Sequence, residues 1–309
     1  MRELHTAVVT GPTGAIGFAL CRRLLAEGIR VFAVVRPGRP RADALGELTG
    51  LALVSCDMSR LAELPDLLPG ADAFFHLAWA ATTGAGRNDM SAQAENIRCT
   101  AQAVRAAKAL GCAVFLGAGS QAEYGRVNGP LRPETPCFPE NCYGMAKLCA
   151  GQMSRVECER LGLDHIWLRI LSVYGPHDGE SSRLSSAARR LLAGERPSLT
   201  AGEQIWDYLY ARDAAEALFL AAKKGRSGAV YPLGSGQARP LREYVETLRD
   251  VVDPALPLGF GEVPYGQKQV MHLEADISAL REDTGFAPET EFEAGIRRTL
   301  EWMQEHGPK

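Results

Sequence analysis

The feature that most constrains this chain lies between residues 5 and 27. A short β-branched run, His5–Thr10, passes directly into Gly11-Pro12-Thr13-Gly14-Ala15-Ile16-Gly17, and the apolar spacing turns helical over Ala15–Glu27. Three glycines at that spacing between a strand and a helix suit a tight turn that opens a βαβ unit. Gly11 permits the turn, Gly14 lets the backbone approach a ligand, and Gly17 lets helix and strand pack closely. The first N–H groups of such a helix lack intrahelical partners and sit at its positive end, which suits a pyrophosphate. Gly11, Thr13, Gly14, Ala15, Ile16 and Gly17 are therefore candidate cofactor-binding residues. The bland alternative is a glycine turn with no ligand, and the βαβ context argues against it.

The first half of the chain keeps this rhythm. Strands are expected over Arg30–Val35, Leu51–Ser55, Asp72–Leu77, Cys112–Gly117 and His165–Leu171, and helices over Ser59–Leu68, Ser91–Leu110 and Tyr143–Leu161. Strands spaced by helices predict an α/β fold, a Rossmann doubly wound parallel sheet with ligands at the carboxyl ends of the strands. After Tyr174-Gly175-Pro176 the loops lengthen, and elements follow at Arg183–Ala193, Trp206–Tyr210, Ala211–Lys223, Leu241–Val252 and Phe292–Gln304. This change suggests a dinucleotide-binding domain over 1–176 and a smaller, mostly helical C-terminal substrate domain over 177–309. Residues 211–224 can return to pack on the first.

Composition enters as exclusions. A net charge of −3 with no long basic run argues against capture of nucleic acid or of an anionic membrane. The longest apolar stretches, such as Ala73–Ala81, are too short to span a bilayer, and the strand at His5 leaves no room for a signal peptide. The eight cysteines form no C-x-x-C pair and no metal-like set with histidine. They read as reduced thiols of a cytoplasmic protein, and no metal site is expected.

The end of the second strand chooses between cofactors. NAD-binding sheets usually place Asp or Glu there, accepting a hydrogen bond from the ribose 2′-hydroxyl. Here the position holds Arg36, and no acid follows before Asp43. A guanidinium pairs with a 2′-phosphate that an acid would repel, so NADP is favoured and NAD is the alternative. A solvated arginine ending a strand is the bland reading. Asp57-Met58 after the third strand suit the adenine edge of either cofactor, and Leu77-Ala78 after the fourth would pass under its middle.

Tyr143-Gly144-Met145-Ala146-Lys147 places a phenol and an ammonium on one face of a helix start. A free phenol titrates near pH ~10, and a neighbouring ammonium favours its ionised form. A shift of about three units needs roughly 4 kcal/mol of differential interaction, within reach of a partly desolvated cleft. Lys147 could also hold the nicotinamide ribose. Such a pair is common by accident on amphipathic helices, but Ser120 sits beyond the carboxyl end of the fifth strand, where its hydroxyl can meet Tyr143. Ser120, Tyr143 and Lys147 are the candidate catalytic residues. His76 reads as a packed histidine and Cys142 as a small cleft-lining residue.

Taken together these motifs resemble the extended short-chain dehydrogenases/reductases of the NAD-dependent epimerase/dehydratase family, along essentially the whole chain. Gly11, Gly14 and Gly17 match the glycine fingerprint; Ser120, Tyr143 and Lys147 match the catalytic triad, with Tyr124-Gly125 four residues after the serine. Asn96 and Thr100 match the N-x-x-x-T helix, Arg169–Pro176 the R-x-x-N-V-Y-G-P loop, and Asp276–Pro288 the carboxyl-terminal motif. The resemblance implies that Leu171 and Val173 border the cofactor. It also implies that Trp79, Thr82, Ser172, Arg183, Trp206 and Tyr208 border a nucleotide-sugar substrate. It further implies a homodimer through helices 91–110 and 143–161.

Where the family's dehydratases carry an Asp-Glu pair after the catalytic residue, this chain has Gln121 and Ala122. Glu123 comes one place later and is expected to face elsewhere, which disfavours elimination of water. Ser172 replaces the usual Asn, and Trp206 the usual Arg before Asp-Tyr, so Arg183, Arg189 or Arg190 would have to grip a diphosphate. Gly119–Gly125 with Gln204–Tyr210 is similar to sugar-nucleotide 4-ketoreductases such as the CDP-abequose and CDP-paratose synthases. The implied activity is NADPH-dependent reduction of a keto group on a nucleotide-activated deoxysugar. The alternatives are a 4-epimerase, a small-ketone reductase and a noncatalytic NADP-sensing regulator. The loops around Ala80–Met90, Ser181–Arg190 and Tyr265–Leu273 would set the sugar.

Overall fold

A computed structural model describes residues 1–38, 44–46, 48–179 and 182–307. Asp43 and Ser181 lie outside the described residues. Seven parallel strands form the central sheet, in the order β3-β2-β1-β4-β5-β6-β10. They are β1 (Thr6–Thr10), β2 (Arg30–Val35), β3 (Leu51–Ser55), β4 (Ala73–His76), β5 (Val114–Ser120), β6 (Asp164–Ile170) and, later in the chain, β10 (Ala229–Leu233).

Alternation along β1 shows why the sheet is covered on both faces. Ala7 and Val9 join a core with α1 (Ala15–Ala26) and α6 (Ala211–Lys224). Val8 joins another with α3 (Met90–Ala109) and α4 (Cys142–Leu161), the short α2 (Leu64–Leu67) flanking them. The chain builds outward from β1 to β3, then returns to place β4 on the other side of β1. The crevice at the carboxyl ends of β1 and β4 is therefore the switch point where such sheets bind ligands.

Three expectations change. The fifth strand runs on to Ser120, which ends β5. The helix expected over Ser59–Leu68 is a 3₁₀ turn, Met58–Glu63, followed by α2, because Pro65 lacks the N–H and crowds the preceding turn. Beyond residue 176 the chain returns to the main sheet: α6 packs along α1, as allowed for residues 211–224, and β10, which was not expected, pairs with β6. A single cut at 176 would therefore remove one strand from the central sheet and one helix from its face.

The remaining elements build a cap over the carboxyl ends. β7 (Ser172–Tyr174) pairs with β9 (Tyr208–Tyr210), and β8 (Ile205–Trp206) lies between β11 (Arg239–Pro240) and β12 (His272–Leu273). Around them stand α5 (Arg183–Leu192), α7 (Leu241–Val252) and α9 (Phe292–His306), while α8 (Ser278–Thr284) packs back on α6 and β10. Tyr174, Tyr208, Tyr210, Tyr244 and Phe292 form the cap's aromatic centre. Among the described residues no helix is long and apolar enough to cross a membrane, and no group of His, Cys, Asp or Glu is arranged to hold a metal ion.

Candidate active site

The glycine turn is shaped from within at two positions and left open at the third. Gly11 has φ +71°, and a Cβ there would lie 2.9 Å from the Ala78 nitrogen; a Cβ on Gly17 would run into the Gly11 carbonyl. Gly14 has an ordinary φ of −88°, and a Cβ would meet only the Gly11 oxygen, at 4.0 Å. Nothing in the protein demands glycine there, whereas a pyrophosphate lying against the turn would. The start of α1 agrees, for it has neither a side-chain cap nor an acid in its first turn. By contrast Asp89 caps α3 and Asn141 caps α4. The turn fits a dinucleotide on the N–H groups of Thr13, Ala15 and Ile16.

Behind it, the Thr10 hydroxyl accepts the N–H groups of Leu77 and Ala78, each at 3.2 Å, and contacts His76 Nδ1 at 3.0 Å. His76 Nε2 contacts the Thr100 hydroxyl at 3.3 Å, which itself donates to the Asn96 carbonyl. Hence Nε2 carries the proton and Nδ1 accepts. Burial lowers the His76 pKa to about 3, with the charge of Lys147 acting the same way, so the ring is neutral and structural. At the adenine end Arg36 is exposed at the end of β2. Asp57 accepts from the Ser59 N–H and hydroxyl; these bonds hold it below its ordinary pKa, with the charge of Arg36 assisting. Met58 opens the 3₁₀ turn beside it.

Ser120, Tyr143 and Lys147 come together where β5 meets α4. The Ser120 hydroxyl accepts from the Ala122 N–H at 3.2 Å, and its side chain acts on the Tyr143 phenol to favour ionisation. Lys147 Nζ donates to the Ala118 carbonyl at 2.5 Å and lies 3.8 Å from the ring centre of Trp79. Burial brings the ammonium down to about 7, against the charge of Glu123.

The expectation that Lys147 acidifies the phenol is not met. Burial holds Tyr143 above its ordinary value and Glu123 adds to that, while the Ser120 side chain and the charge of Arg87 pull it down. Lys147 stands 5.9 Å from the phenol ring centre, turned toward Ala118 and Trp79 and weakened by desolvation. Arg87 lies over the Tyr143 ring at 4.3 Å.

Sequence reasoning did not single out Arg87, which sits in a 3₁₀ turn without periodicity, Gly84–Asn88. Nor did it find how that wall is held. Gln93 accepts from the Trp79 indole at 2.9 Å and donates to the carbonyls of Ala81 and Gly86, while Asn96 bonds both backbone groups of Ala80. Glu123 turns inward, as far as facing away from a substrate was expected, but it is far from idle. It is fully buried and accepts from the Ser120 N–H at 2.8 Å, Trp167 Nε1 at 3.0 Å and Arg169 Nε at 2.7 Å. A signal for it was present, since Ser120-Gln121-Ala122-Glu123 is a capping box.

The other substrate candidates form a second group. The Trp206 indole donates to the Ser172 hydroxyl at 2.8 Å, so the two departures from the family pattern satisfy each other. Arg183 lies over the Trp206 ring at 5.4 Å, and its charge acts on Tyr208. Thr82 touches the first group through its carbonyl, which accepts from Arg87 at 3.4 Å. Leu171 donates its N–H to Leu233, and Val173 pairs with Leu209, carrying the chain from sheet to cap.

Comparison with known proteins identifies the family and the fold. The model of the NAD dependent epimerase/dehydratase family matches residues 7–234. A dTDP-glucose 4,6-dehydratase of Xanthomonas campestris is 27% identical over 199 residues, 61% of this chain and 57% of that enzyme, little more than half its length. An uncharacterized UDP-glucose epimerase of Bacillus subtilis is 25% identical over 312 residues, 96% of this chain and 97% of the relative. Among solved structures, the UDP-N-acetylglucosamine 4-epimerase of Methanobrevibacter ruminantium, in complex with UDP-N-acetylmuramic acid, superposes with a TM-score of 0.88. It is 25% identical, with 99% of each chain covered. A UDP-glucuronic acid 4-epimerase of Bacillus cereus in complex with NAD, 19% identical, shares the fold at a TM-score of 0.84, covering 97% of this chain and 99% of its own.

Proposed function

The chain belongs to the NAD-dependent epimerase/dehydratase family of extended short-chain dehydrogenases/reductases, nucleotide-sugar-modifying enzymes, and we propose that within it this protein uses NADPH to reduce a keto group on a nucleotide-activated deoxysugar. The observation that carries the reading is the meeting of Ser120 at the carboxyl end of β5 with Tyr143 and Lys147 at the start of α4, beside the switch point, with Lys147 donating to the Ala118 carbonyl of the same strand. When bound, the dinucleotide supplies the hydride for the carbonyl carbon. Tyr143 gives its proton to the carbonyl oxygen, which Ser120 holds through its hydroxyl. Lys147, brought near neutrality, can lose and regain a proton at working pH and so restore the phenol. Gln121 and Ala122 offer no acid-base pair for eliminating water.

In this reading Arg36 takes the 2′-phosphate of NADP, and Arg183, stacked on Trp206, takes the substrate diphosphate. Two copies of the chain pair through α3 and α4. What supports the pairing is a groove of about 410 Å³ lined by Ile97, Ala101, Ala150, Met153 and Val156, of which Met153 and Val156 are exposed. Light scattering should give twice the mass of one chain, and Val156→Glu should halve it; a monomeric wild type removes the pairing.

A second reading, an NAD-dependent 4-epimerase, is supported by the names of the relatives and by the NAD-bound neighbour. A thermal-shift screen of nucleotide sugars with NADPH or NAD present, followed by turnover of the ligands found, separates the two. Reduction expects a 4-keto sugar to be consumed together with NADPH absorbance. Protein purified with tightly bound NAD that interconverts C4 epimers without added cofactor overturns it.

A further inference from the structure

Lys147 is 3% exposed, and its ammonium is gripped from two sides. On one side the Ala118 carbonyl of β5 accepts from Nζ at 2.5 Å. On the other, Nζ stands 3.8 Å from the ring centre of Trp79, over the indole face and well inside the ~6 Å within which such a face attracts a cation. The indole is itself pinned. Its N–H donates at 2.9 Å to the side-chain oxygen of Gln93, which is buried in α3 and also accepts from the Asn96 amide at 3.3 Å. The Gln93 nitrogen donates to the carbonyls of Ala81 and Gly86, at 3.0 and 3.1 Å. Every polar atom of Gln93 is thus engaged, and one line of contacts runs from α3 through the loop after β4 to the ammonium on α4.

The charges and titratable groups around Lys147 offer no substitute for this hold. Glu123, in the turn after β5, favours the ammonium, but its carboxylate is engaged by Arg169. His76, at the end of β4, is neutral. Arg87 lies over the Tyr143 ring, and the centre of that ring is 5.9 Å from Nζ, against 3.8 Å for Trp79.

We propose that Trp79 is a positioning residue for Lys147, holding its ammonium at the carboxyl end of β5, and that Gln93 fixes the indole for that task. A lysine stem has four rotatable bonds, and a buried ammonium with one carbonyl for company would otherwise turn toward water. An aromatic face stabilises the charge without consuming it in an ion pair. The ammonium therefore keeps donors for a further acceptor, and it remains able to give up a proton. The functional consequence rests on the role proposed for Lys147 in restoring the phenol; the hold on the ammonium does not.

The test therefore needs no substrate. Protein carrying lysine labelled with 13C at Cε is titrated by NMR, and the Lys147 resonance is identified by its loss in Lys147→Met. Trp79→Leu keeps an apolar neighbour but removes the face that favours the charged form. The Lys147 titration is then expected to move acid by about one unit, the order that a desolvated cation–π contact supplies. Trp79→Phe, which keeps a smaller face, should move it distinctly less, and Gln93→Met, which frees the indole, should move it in the same direction. Should Trp79→Leu fail to fold, the other two variants carry the test. A titration that stays in place in every variant that folds, or that moves alkaline as water enters, overturns the proposal, because a merely space-filling indole would leave the ammonium where it is. If the titration moves as stated while no keto sugar is reduced, the positioning stands and the reaction assignment fails alone.

Discussion

Arg169 donates through Nε to the carboxylate of Glu123 at 2.7 Å, and both side chains are withdrawn from water, at 4% and 0% exposure. The pair lies directly behind Ser120, whose N–H the same carboxylate accepts. Tyr124 stacks on the guanidinium at 4.5 Å. Removing one member of a buried pair leaves the other charged and unanswered, which costs about 3–5 kcal/mol. Glu123→Ala is thus expected to lose stability of that order in urea denaturation. Glu123→Ala with Arg169→Met should lose clearly less than the two single changes added together. Simple additivity would show that the pair is not coupled.

Trp167 explains three glycines at once. A Cβ on Gly117, Gly119 or Gly151 would collide with its indole, which lies between β5 and α4. Gly117→Ala therefore overpacks a tight slot, and a loss of about 1–3 kcal/mol is expected. Trp167→Leu partly empties the slot and is destabilising in itself, yet Gly117→Ala added to it should be nearly neutral or favourable. Denaturation midpoints of the four proteins form the cycle. An unchanged cost of Gly117→Ala in the leucine background would show that the indole is not what excludes the methyl group.

The same two neighbourhoods show what could be read beforehand. The first five strands and the long helices announce themselves by periodicity because they are buried on one or both faces. The glycine turn does so because its backbone geometry admits little else. β10 escaped because Pro232 interrupts its pattern, which a strand tolerates only at a sheet edge, where β10 lies. Ser120, Tyr143 and Lys147 were legible through spacing, but their electrostatics were not, since these depend on what other loops place against them. Arg87 and Trp167 reach the site across long sequence separations. Only Glu123 left a local trace, as a capping box.

Acid should weaken the fold before carboxylates titrate. Burial lowers the His76 pKa to about 3 and that of His165 to about 4, the latter with help from Arg155. With folded values below the unfolded value of about 6.5, extra protons bind only to the unfolded chain in between. The stability these rings contribute is fully present above about pH 6.5 and is lost as the pH falls through the window. Two such groups lower stability by up to roughly 2.7 kcal/mol per pH unit. Urea denaturation between about pH 6.5 and about pH 5 reads this slope above the unfolded carboxylate range. His165→Gln is expected to halve it, and a slope unaltered by that change would mean that His165 is not held neutral.

The cofactor preference turns on Arg36. Asp57, after β3, accepts the N–H and hydroxyl of Ser59 with one oxygen and feels the charge of Arg36. A 2′-phosphate would find the exposed guanidinium of Arg36 at the end of β2, where NAD-binding sheets usually place an acid. A hydrogen bond to a charged group is worth about 1.5–3 kcal/mol, so Arg36→Ala should raise the KM for NADPH roughly ten- to a hundredfold. The KM for NADH should change little, because the lost partner is the phosphate. The ratio of kcat/KM values for the two cofactors, measured in both proteins, checks this. A variant that keeps the wild-type preference for NADPH would move phosphate recognition away from the end of β2, and a wild type that prefers NADH would favour the epimerase reading instead.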